Sequence, residues 1–194
     1  MIEELVRKTR SYRRFYEDYK IGMDILLRLI NLARLSASAA NLQPIKYIPI
    51  NNPDINNRII FPRLKWAAYL KDWDGPVEGE RPSAYIILLG DTKISQNFGC
   101  DHGISTQNIM IGATSMGLGG CIIGSVQREE IKRDLRIPDH LRILHVIALG
   151  KPKERVVIEK VGPDGDIRYW RDKDGIHHVP KRSLEEIIVK SYQE

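Results

Sequence analysis

The 194-residue chain is 42% hydrophobic and 28% charged, as expected of a soluble globular protein with one full-sized core. Its 30 basic and 25 acidic residues leave a net charge of +5, which suits an anionic small ligand as well as nucleic acid. No stretch approaches the roughly 20 apolar residues of a membrane-spanning helix, and the acidic start at Glu3 and Glu4 lacks the apolar region of a signal peptide.

A basic cluster stands near the start of the chain, in the run Arg-Ser-Tyr-Arg-Arg-Phe. It combines the guanidinium groups of Arg10, Arg13 and Arg14 with the hydroxyl group of Ser11. A guanidinium group offers a planar fork of donors that fits two oxygens of a phosphate at once. The segment is therefore a candidate seat for a phosphorylated ligand, and the alternative interpretation is a solvated basic surface.

A helix, a polar loop and a strand follow. Apolar residues recur at helical spacing over residues 22–35, which predicts a core helix. Residues 36–44 predict a loop, because Pro44 disfavours helix at the residue before it. A strand is predicted over residues 47–50, and its proline places it near a sheet edge. The polar side chains of the loop, which can both donate and accept hydrogen bonds, are Ser38, Asn41 and Gln43.

Residues 51–83 follow no regular pattern. This stretch combines basic and aromatic side chains, among them Lys65, Trp66, Tyr69 and Trp73, between turn signals. Two interpretations stay open, a lid over a pocket and a helical hairpin that packs against the body of the protein.

The centre of the chain predicts a buried strand and a helix of small residues. The apolar run 84–90 is typical of a strand buried on both faces. Residues 96–116 predict a long helix whose glycines allow close packing, in the core or against a partner subunit. Gly117–Gly120 ends this helix and residues 121–124 continue extended. The glycine string fails the dinucleotide-binding fingerprint, because it follows a helix instead of a strand.

The last part of the chain predicts a short helix over residues 128–136 and a buried strand over residues 142–150. Two short runs on either side of Asp174–Gly175 predict a β-hairpin.

A final helix is signalled by a capping box, in which Ser183 is followed three residues later by Glu186. Lys181 and Arg182 stand just before this helix N-terminus, where positive side chains and the helix dipole would both favour an anion.

No Ser-His-Asp, Cys-His or metal-binding set emerges. The adjacent His177 and His178 would face opposite sides of a strand. Cys100 and Cys121 match no metal-binding spacing and are interpreted as free thiols, which suits a reducing cytoplasm. With neither a protein nucleophile nor paired catalytic carboxylates, an enzyme of this sequence would rely on a cofactor.

Five of these features, in the same order along nearly the whole chain, resemble the FMN-dependent nitroreductase family. They are similar to its Arg-Ser-x-Arg-basic-Phe phosphate motif, its Ser-x-x-Asn-x-Gln-Pro loop, its central helix with the glycine turn, its Leu-Gly-Lys-Pro strand end and its C-terminal basic motif. Two positions depart from the pattern: Ala37 stands where the family commonly has proline, and Ile45 where it has an aromatic residue. The matching segments are Arg10–Phe15, Ser38–Pro44, Gln107–Gly124, Leu149–Pro152 and Lys181–Glu186.

The resemblance implies an α+β fold. We expect one nitroreductase-like domain over residues 1–194, a three-layer α/β/α sandwich with a mixed, mainly antiparallel central sheet. We also expect a homodimer with exchanged C-terminal arms, formed by residues 155–194, in which both subunits build each flavin site. Residues 51–83 would be a variable excursion or lid.

The resemblance also implies that FMN carries the chemistry, so that no side chain is expected to be catalytic and no metal is expected. Side chains of the basic motifs would hold the phosphate, the polar loop would face the ribityl chain and ring, and residues 123–124 would lie near the redox edge. The implied FMN-binding residues are Arg10, Ser11, Arg13, Arg14, Ser38, Asn41, Gln43, Ile123, Gly124, Lys181 and Arg182.

The implied activity is that of an FMN-dependent NAD(P)H oxidoreductase with ping-pong kinetics, in which NADH or NADPH is followed by a nitroaromatic, quinone or flavin-type acceptor. Neither nucleic acid nor a membrane is then an expected partner. One alternative is a specialised flavin reaction on the same fold, such as dehalogenation or flavin breakdown. Another is a basic nucleic-acid-binding module, which would need basic residues clustered on one surface with stacking aromatic residues.

Overall fold

The computed structural model describes residues 1–193. The helices are α1 Ile2–Lys8, α2 Met23–Arg34, α3 Pro53–Ile55, α4 Asp101–Ser115, α5 Arg128–Asp134 and α6 Leu184–Ile187. The strands are β1 Phe15–Tyr16, β2 Ile45–Ile50, β3 Ala84–Asp91, β4 Gly119–Ile123, β5 Leu141–Pro152, β6 Val156–Lys160, β7 Trp170–Arg171 and β8 His177–Lys181. Among residues 1–193, no helix is long and apolar enough to cross a bilayer.

A five-stranded sheet forms the centre of the fold, in the order β1-β5-β3-β2 with β4 also paired to β5. Ile147 of β5 lies opposite both Ile86 of β3 and Ile122 of β4, so β5 is flanked on both sides. Every strand pair in this sheet is antiparallel, where the resemblance implied a mixed sheet. The α+β class and the edge position of β2 are confirmed.

Strands β3 and β5 are buried on both faces, as their apolar runs predicted. Alternate side chains of a strand point to opposite faces of the sheet. Ile86 therefore contacts a core cluster that includes α2 and α4, whereas Tyr85 belongs to a second cluster with Ile60 and with Ile131 of α5. Burial of each large apolar side chain contributes about 1.5–3 kcal/mol, so the two clusters hold helices against both faces.

Helices α2 and α4 pack closely because α4 has glycine at the contact. A Cβ atom on Gly112 would lie 2.4 Å from Leu32 Cδ1 and 3.1 Å from Leu29 Cδ2. The predicted start of α4 at residue 96 is wrong, since the helix begins at Asp101. Before it, Gly99 adopts a φ angle of +47° and donates its N–H to Asn97 Oδ1, and this turn is incompatible with a right-handed helix.

The segment after β2 is one continuous helical stretch. Helix α3 passes into a π-helical turn, Asn56–Ile60, and then a 3-10 turn, Phe61–Arg63. Residues 64–83, all within the described part, form no further helix or strand beyond a bridge between Leu64 and Val126. A helical hairpin therefore does not form, and the lid interpretation stays a prediction.

The C-terminal region folds into a small sheet of order β6-β8-β7. Strand β8 pairs antiparallel with β7, which confirms the predicted hairpin, and parallel with β6. The capping box of α6 is also confirmed, with the Ser183 N–H donating to Glu186 Oε2 at 2.9 Å. Strands β6, β7 and β8 are thus paired within their own chain, and exchange of this region between subunits stays a prediction.

Candidate functional site

A cavity of about 230 Å³ lies between the N-terminal segment 9–13, α4, β4 and β8. Three of its lining residues are arginine or lysine, and no acidic side chain is among the described residues that line it. The lining residues are Thr9, Arg10, Ser11, Arg13, Gln107, Met110, Ile122, Tyr169, His177, Val179 and Lys181. The fold therefore brings four of the predicted FMN-binding residues together: Arg10, Ser11, Arg13 and Lys181.

Local hydrogen bonds place segment 9–13 at this cavity. The Thr9 hydroxyl donates to the Leu5 carbonyl at 2.7 Å where α1 ends, and the Tyr12 N–H donates to the Gly120 carbonyl at 2.9 Å. Gly120 must lack a side chain, because a Cβ atom there would lie 2.7 Å from the Ala148 carbonyl oxygen. At the residue before it, a Cβ atom on Gly119 would lie 2.5 Å from Tyr12 Cδ2, so this glycine lets the N-terminal segment run along β4.

Arg10 and Arg13 present their guanidinium groups in different ways. Arg10 Nη2 donates to the Val6 carbonyl at 2.7 Å, whereas its Nε is buried with no partner among residues 1–193. Burial lowers the pKa of Arg10 below its ordinary value. Arg13 is 8% exposed, lies over the Tyr169 ring at 4.6 Å from its centroid and contacts His177 Nε2 at 3.0 Å. These positive groups favour an anion in the cavity.

Glu154 ties the N-terminal segment to the C-terminal sheet. Its side chain has no exposed surface and forms an ion pair with Arg171 at 3.0 Å. The backbone N–H groups of Arg13 and Arg14 donate to its other oxygen, the Arg14 bond at 3.3 Å. One buried carboxylate therefore fixes the backbone from which the Arg13 side chain projects.

Two of the predicted basic contacts do not line the cavity. Arg14 pairs with Glu80, at 2.6 Å from Nη2 to Oε1, and this contact lowers the pKa of Glu80 to about 2. Arg182 donates to Glu186 Oε1 at 3.2 Å. Both residues follow a lining residue directly in an extended segment, so their side chains point the other way. Their assignment as FMN phosphate contacts is not supported by this geometry.

On β4, the residue whose side chain lines the cavity differs from the predicted one. Ile122 lines the cavity and is 45% exposed, whereas the Ile123 side chain is 4% exposed in the core. The prediction for Ile123 can therefore apply only to its backbone. Gly124 is open, since a Cβ atom added there would meet no atom within 4 Å, and its carbonyl accepts from Arg128 Nη2 at 2.9 Å.

The polar loop lies elsewhere on the chain. The Ser38 hydroxyl donates to Asp101 Oδ2 at 2.5 Å, and the Gln43 N–H donates to Ser38 Oγ at 2.8 Å. Asn41 and Gln43 are exposed and bonded to each other, with Gln43 Nε2 at 3.1 Å from Asn41 Oδ1. Ser38 and Gln43 line a separate hollow of about 40 Å³ that shares no residue with the basic cavity. Within one chain, the fold does not bring these three residues to the basic cavity, and their predicted contacts with the ribityl chain and ring stay a prediction.

Sequence reasoning missed several cavity residues, chiefly Tyr169 and His177. The signal was available on β8, because counting back from Lys181 in steps of two reaches Val179 and then His177. The adjacent His178 points away, stacked on Trp170 with ring centroids 4.0 Å apart, as the strand interpretation predicted. Among residues 1–193, no group of three or more His, Cys, Asp or Glu side chains is arranged to hold a metal ion.

Known proteins match this chain over most of its length. The Nitroreductase family profile matches residues 6–151. A candidate NADH dehydrogenase/NAD(P)H nitroreductase of Archaeoglobus fulgidus is 27% identical over 173 residues, which cover 85% of this chain and 91% of that protein.

Solved structures show the same fold. A nitroreductase family protein from Clostridium novyi NT aligns with a TM-score of 0.65 at 22% identity, over 96% of this chain and 98% of that chain. The NADPH:FMN oxidoreductase of Vibrio harveyi, solved with NAD+, aligns with a TM-score of 0.61 at 21% identity, over 78% and 68% of the two chains. By the extent of the family match, the chain belongs to the nitroreductase family.

Proposed function

We propose that this protein is an FMN-dependent NAD(P)H oxidoreductase that reduces nitroaromatic, quinone or flavin-type acceptors by a ping-pong mechanism. The observation that carries the proposal is the cavity lined by Arg10, Arg13 and Lys181, in which charged donors converge with no acidic side chain among the described lining residues. The names of relatives agree with it, since one is an NAD(P)H nitroreductase candidate and another an NADPH:FMN oxidoreductase.

The residues present fit the phosphate end of FMN. Arg10 Nε is a buried donor without a partner among residues 1–193, and the Arg13 guanidinium is held at the cavity by its contacts with the Ser11 carbonyl and His177 Nε2. Charge-assisted hydrogen bonds of this kind contribute about 1.5–3 kcal/mol each. Ser11, which also lines the cavity, adds a neutral hydroxyl donor.

The size of the cavity argues that one chain holds only part of the cofactor. Ligand pockets commonly enclose about 300–1,000 Å³. The basic cavity encloses about 230 Å³, and the hollow beside Ser38 and Gln43 about 40 Å³. We therefore propose that the polar loop of a second copy, with its exposed Asn41 and Gln43, completes each site around the flavin ring.

Exposed apolar side chains support such a homodimer. Leu27 on α2 is 54% exposed, and Ile104 on α4 is 42% exposed. Beyond α6, Val189 is 101% and Tyr192 85% exposed, which suits a tail that embraces a partner. The core clusters on both faces of the sheet support the proposed three-layer arrangement, and the two unpaired cysteines suit a cytoplasmic enzyme.

The chemistry itself would come from the cofactor, which accepts a hydride from NAD(P)H and passes reducing equivalents to the acceptor. The chain itself would bind the cofactor and orient it. Arg10, Arg13 and Lys181 would hold the phosphate, Ile122 would pack against the ligand, and the backbone of Ile123 and Gly124 would lie near the redox edge. Which acceptor is reduced would then depend on the shape of residues 51–83.

The proposal is tested by purification and cofactor analysis. The protein should be yellow, with close to one FMN per subunit, and should oxidise NADH or NADPH when a quinone or nitroaromatic compound is added. Stripped of ligand, it should regain about 2.7 kcal/mol of stability at an FMN concentration of 100 times Kd, or about 5–11 °C in Tm. A colourless protein whose Tm does not respond to FMN would refute the proposed function.

A further inference from the structure

His177 is the most buried polar side chain at the basic cavity. It has no exposed surface, yet it is one of the residues that line the cavity. It stands on β8, on the same face as Lys181. A buried histidine at the seat of a ligand has two ring nitrogens to satisfy, and their partners define what it does.

The contact with Arg13 fixes the tautomer of the ring. His177 Nε2 lies 3.0 Å from Arg13 Nη1. A guanidinium group only donates, so Nε2 must accept and the proton of the neutral imidazole must be on Nδ1. Burial first, and then the charges of Arg13 and Arg171, lower the pKa of His177 to about 4, which keeps the ring neutral and able to accept at neutral pH.

The other ring nitrogen, Nδ1, is a donor without an acceptor among residues 1–193. His177 Nδ1 is buried and has no hydrogen-bond partner among residues 1–193. The Tyr169 ring covers the imidazole, with centroids 5.2 Å apart, and supplies no acceptor in this contact. A buried donor left without an acceptor is destabilising, and such groups in native proteins are generally completed by water or a ligand.

We propose that His177 positions the Arg13 guanidinium through Nε2 and donates its Nδ1 proton to an oxygen of a phosphate monoester bound in this cavity. The ring then has a partner at each nitrogen, and the same histidine sets both the direction of the arginine and one hydrogen bond to the anion. In identifying the phosphate as that of FMN, the inference rests on the proposed function.

Two substitutions separate the two ring nitrogens. His177→Gln can keep an acceptor near the position of Nε2 but has no donor at Nδ1, whereas His177→Asn can keep an amide donor near Nδ1 but releases Arg13. His178→Asn is the matched control, because this neighbour lies on the opposite face of the same strand.

The readout is the affinity for FMN relative to riboflavin, which lacks the phosphate, measured by fluorescence titration. Each His177 variant should lose about tenfold or more in FMN affinity, because His177→Gln removes the hydrogen bond from Nδ1 to the phosphate and His177→Asn releases the Arg13 guanidinium from its position. Riboflavin affinity should stay within about threefold, because the phosphate bond does not exist in that complex. His178→Asn should leave the ratio unchanged. A ratio unchanged in both folded His177 variants overturns the inference.

A second measurement uses the wild-type protein and inorganic phosphate, and so does not depend on the variants folding. Nitrogen NMR of labelled histidine should show the proton of His177 on Nδ1, and phosphate should shift that resonance. A proton on Nε2, or no response to saturating phosphate, overturns the inference.

The two proposals fail in different ways. If His177 responds to phosphate while the protein binds neither FMN nor riboflavin, the proposed function fails and the inference stands. If FMN binds tightly and the His177 variants keep the wild-type ratio, the function stands and the inference fails.

Discussion

Replacing Glu154 with glutamine removes one charge from the buried centre of the candidate site and leaves the shape of the side chain unchanged. The native carboxylate has no exposed surface and accepts from the backbone N–H groups of Arg13 and Arg14 and from Arg171 Nη2. The substitution therefore tests whether this carboxylate holds the N-terminal segment against the C-terminal sheet.

The contacts differ in what glutamine can replace. Its carbonyl oxygen can still accept from the backbone N–H groups, so those bonds lose only their charge. Its amide would present N–H groups to Arg171 Nη2, now 3.0 Å from Glu154 Oε2, and one donor cannot bond to another. Arg171 would keep its contact with the Trp73 ring, 4.8 Å away, but its side chain is only 16% exposed. Breaking a buried ion pair costs about 3–5 kcal/mol, and we expect the lower end, about 3 kcal/mol.

Urea unfolding followed by tryptophan fluorescence, at one protein concentration, measures this loss. Glu3→Gln is the control for a solvent-exposed pair of the same chemistry, since Glu3 and Arg7 are 79% and 68% exposed, and it should cost less than about 0.5 kcal/mol. Adding Arg171→Met to Glu154→Gln should restore part of the stability, because the unpaired charge is then gone. If Glu154→Gln costs no more than the control, the proposed role of Glu154 is refuted.

Two pairs of residues with different surroundings give matched tests, and Glu80 gives a third test. Lys181→Ala should weaken FMN binding about tenfold by removing a charged donor, and Arg182→Ala by less than about twofold. Fluorescence titration measures both, and equal losses would contradict the placement of Lys181 at the cavity and of Arg182 away from it. Gly120→Ala should lower the free energy of unfolding by about 2 kcal/mol, because its Cβ would lie 2.7 Å from a backbone carbonyl oxygen of β5. Gly124→Ala meets no atom within 4 Å and should stay within about 0.5 kcal/mol in the same urea experiment, so similar losses would contradict the packing argument. The hydrogen bond from the paired arginine lowers the pKa of Glu80 from 4.5 to about 2, so the charged form stabilises the fold above pH 4.5 and this stability is lost as the pH falls towards 2. Glu80→Gln should flatten that part of the stability curve, and an equally steep curve would count against the pair.

The elements with strong local signals could be predicted from the sequence. The apolar spacing of residues 22–35 and the continuous apolar run 84–90 correspond to α2 and β3 within a residue or so. In both segments, the spacing of nearby apolar residues is enough to predict the type of element and how many of its faces are buried. The predicted start of α4 was wrong because Asn97 and Gly99 form a turn before Asp101. In the sequence, this turn cannot be told apart from the small residues of the helix itself.

The direction of individual side chains depended on contacts far away in the sequence. Ile122 and Ile123 differ by one position on β4, and only the pairing with β5 decides which of them faces the core. Arg13 and Arg14 look equivalent in the basic motif, and the difference arises because Glu80 lies on one side and the cavity on the other.

The polar loop illustrates a further limit. Ala40, Asn41 and Gln43 have φ angles of 48°, 56° and 53°, a left-handed conformation that alanine and glutamine rarely adopt, so that only Asn41 is of a residue type enriched there. The buried carboxylate of Asp101 stabilises this path by accepting from Ser38, and no local pattern links residues so far apart.

The contact between Arg13 and His177 joins positions 164 residues apart, so one wall of the cavity comes from the beginning of the chain and a second wall from its end. During synthesis the central sheet can form before the second wall has left the ribosome. Capture of the proposed cofactor would then follow formation of the sheet, and a chain stopped before β8 would fold its sheet yet lack the side of the cavity formed by His177 and Lys181. A bound anion would hold the two terminal segments of the chain together. A single proteolytic cut between β5 and β8 should therefore release the proposed cofactor before the core unfolds.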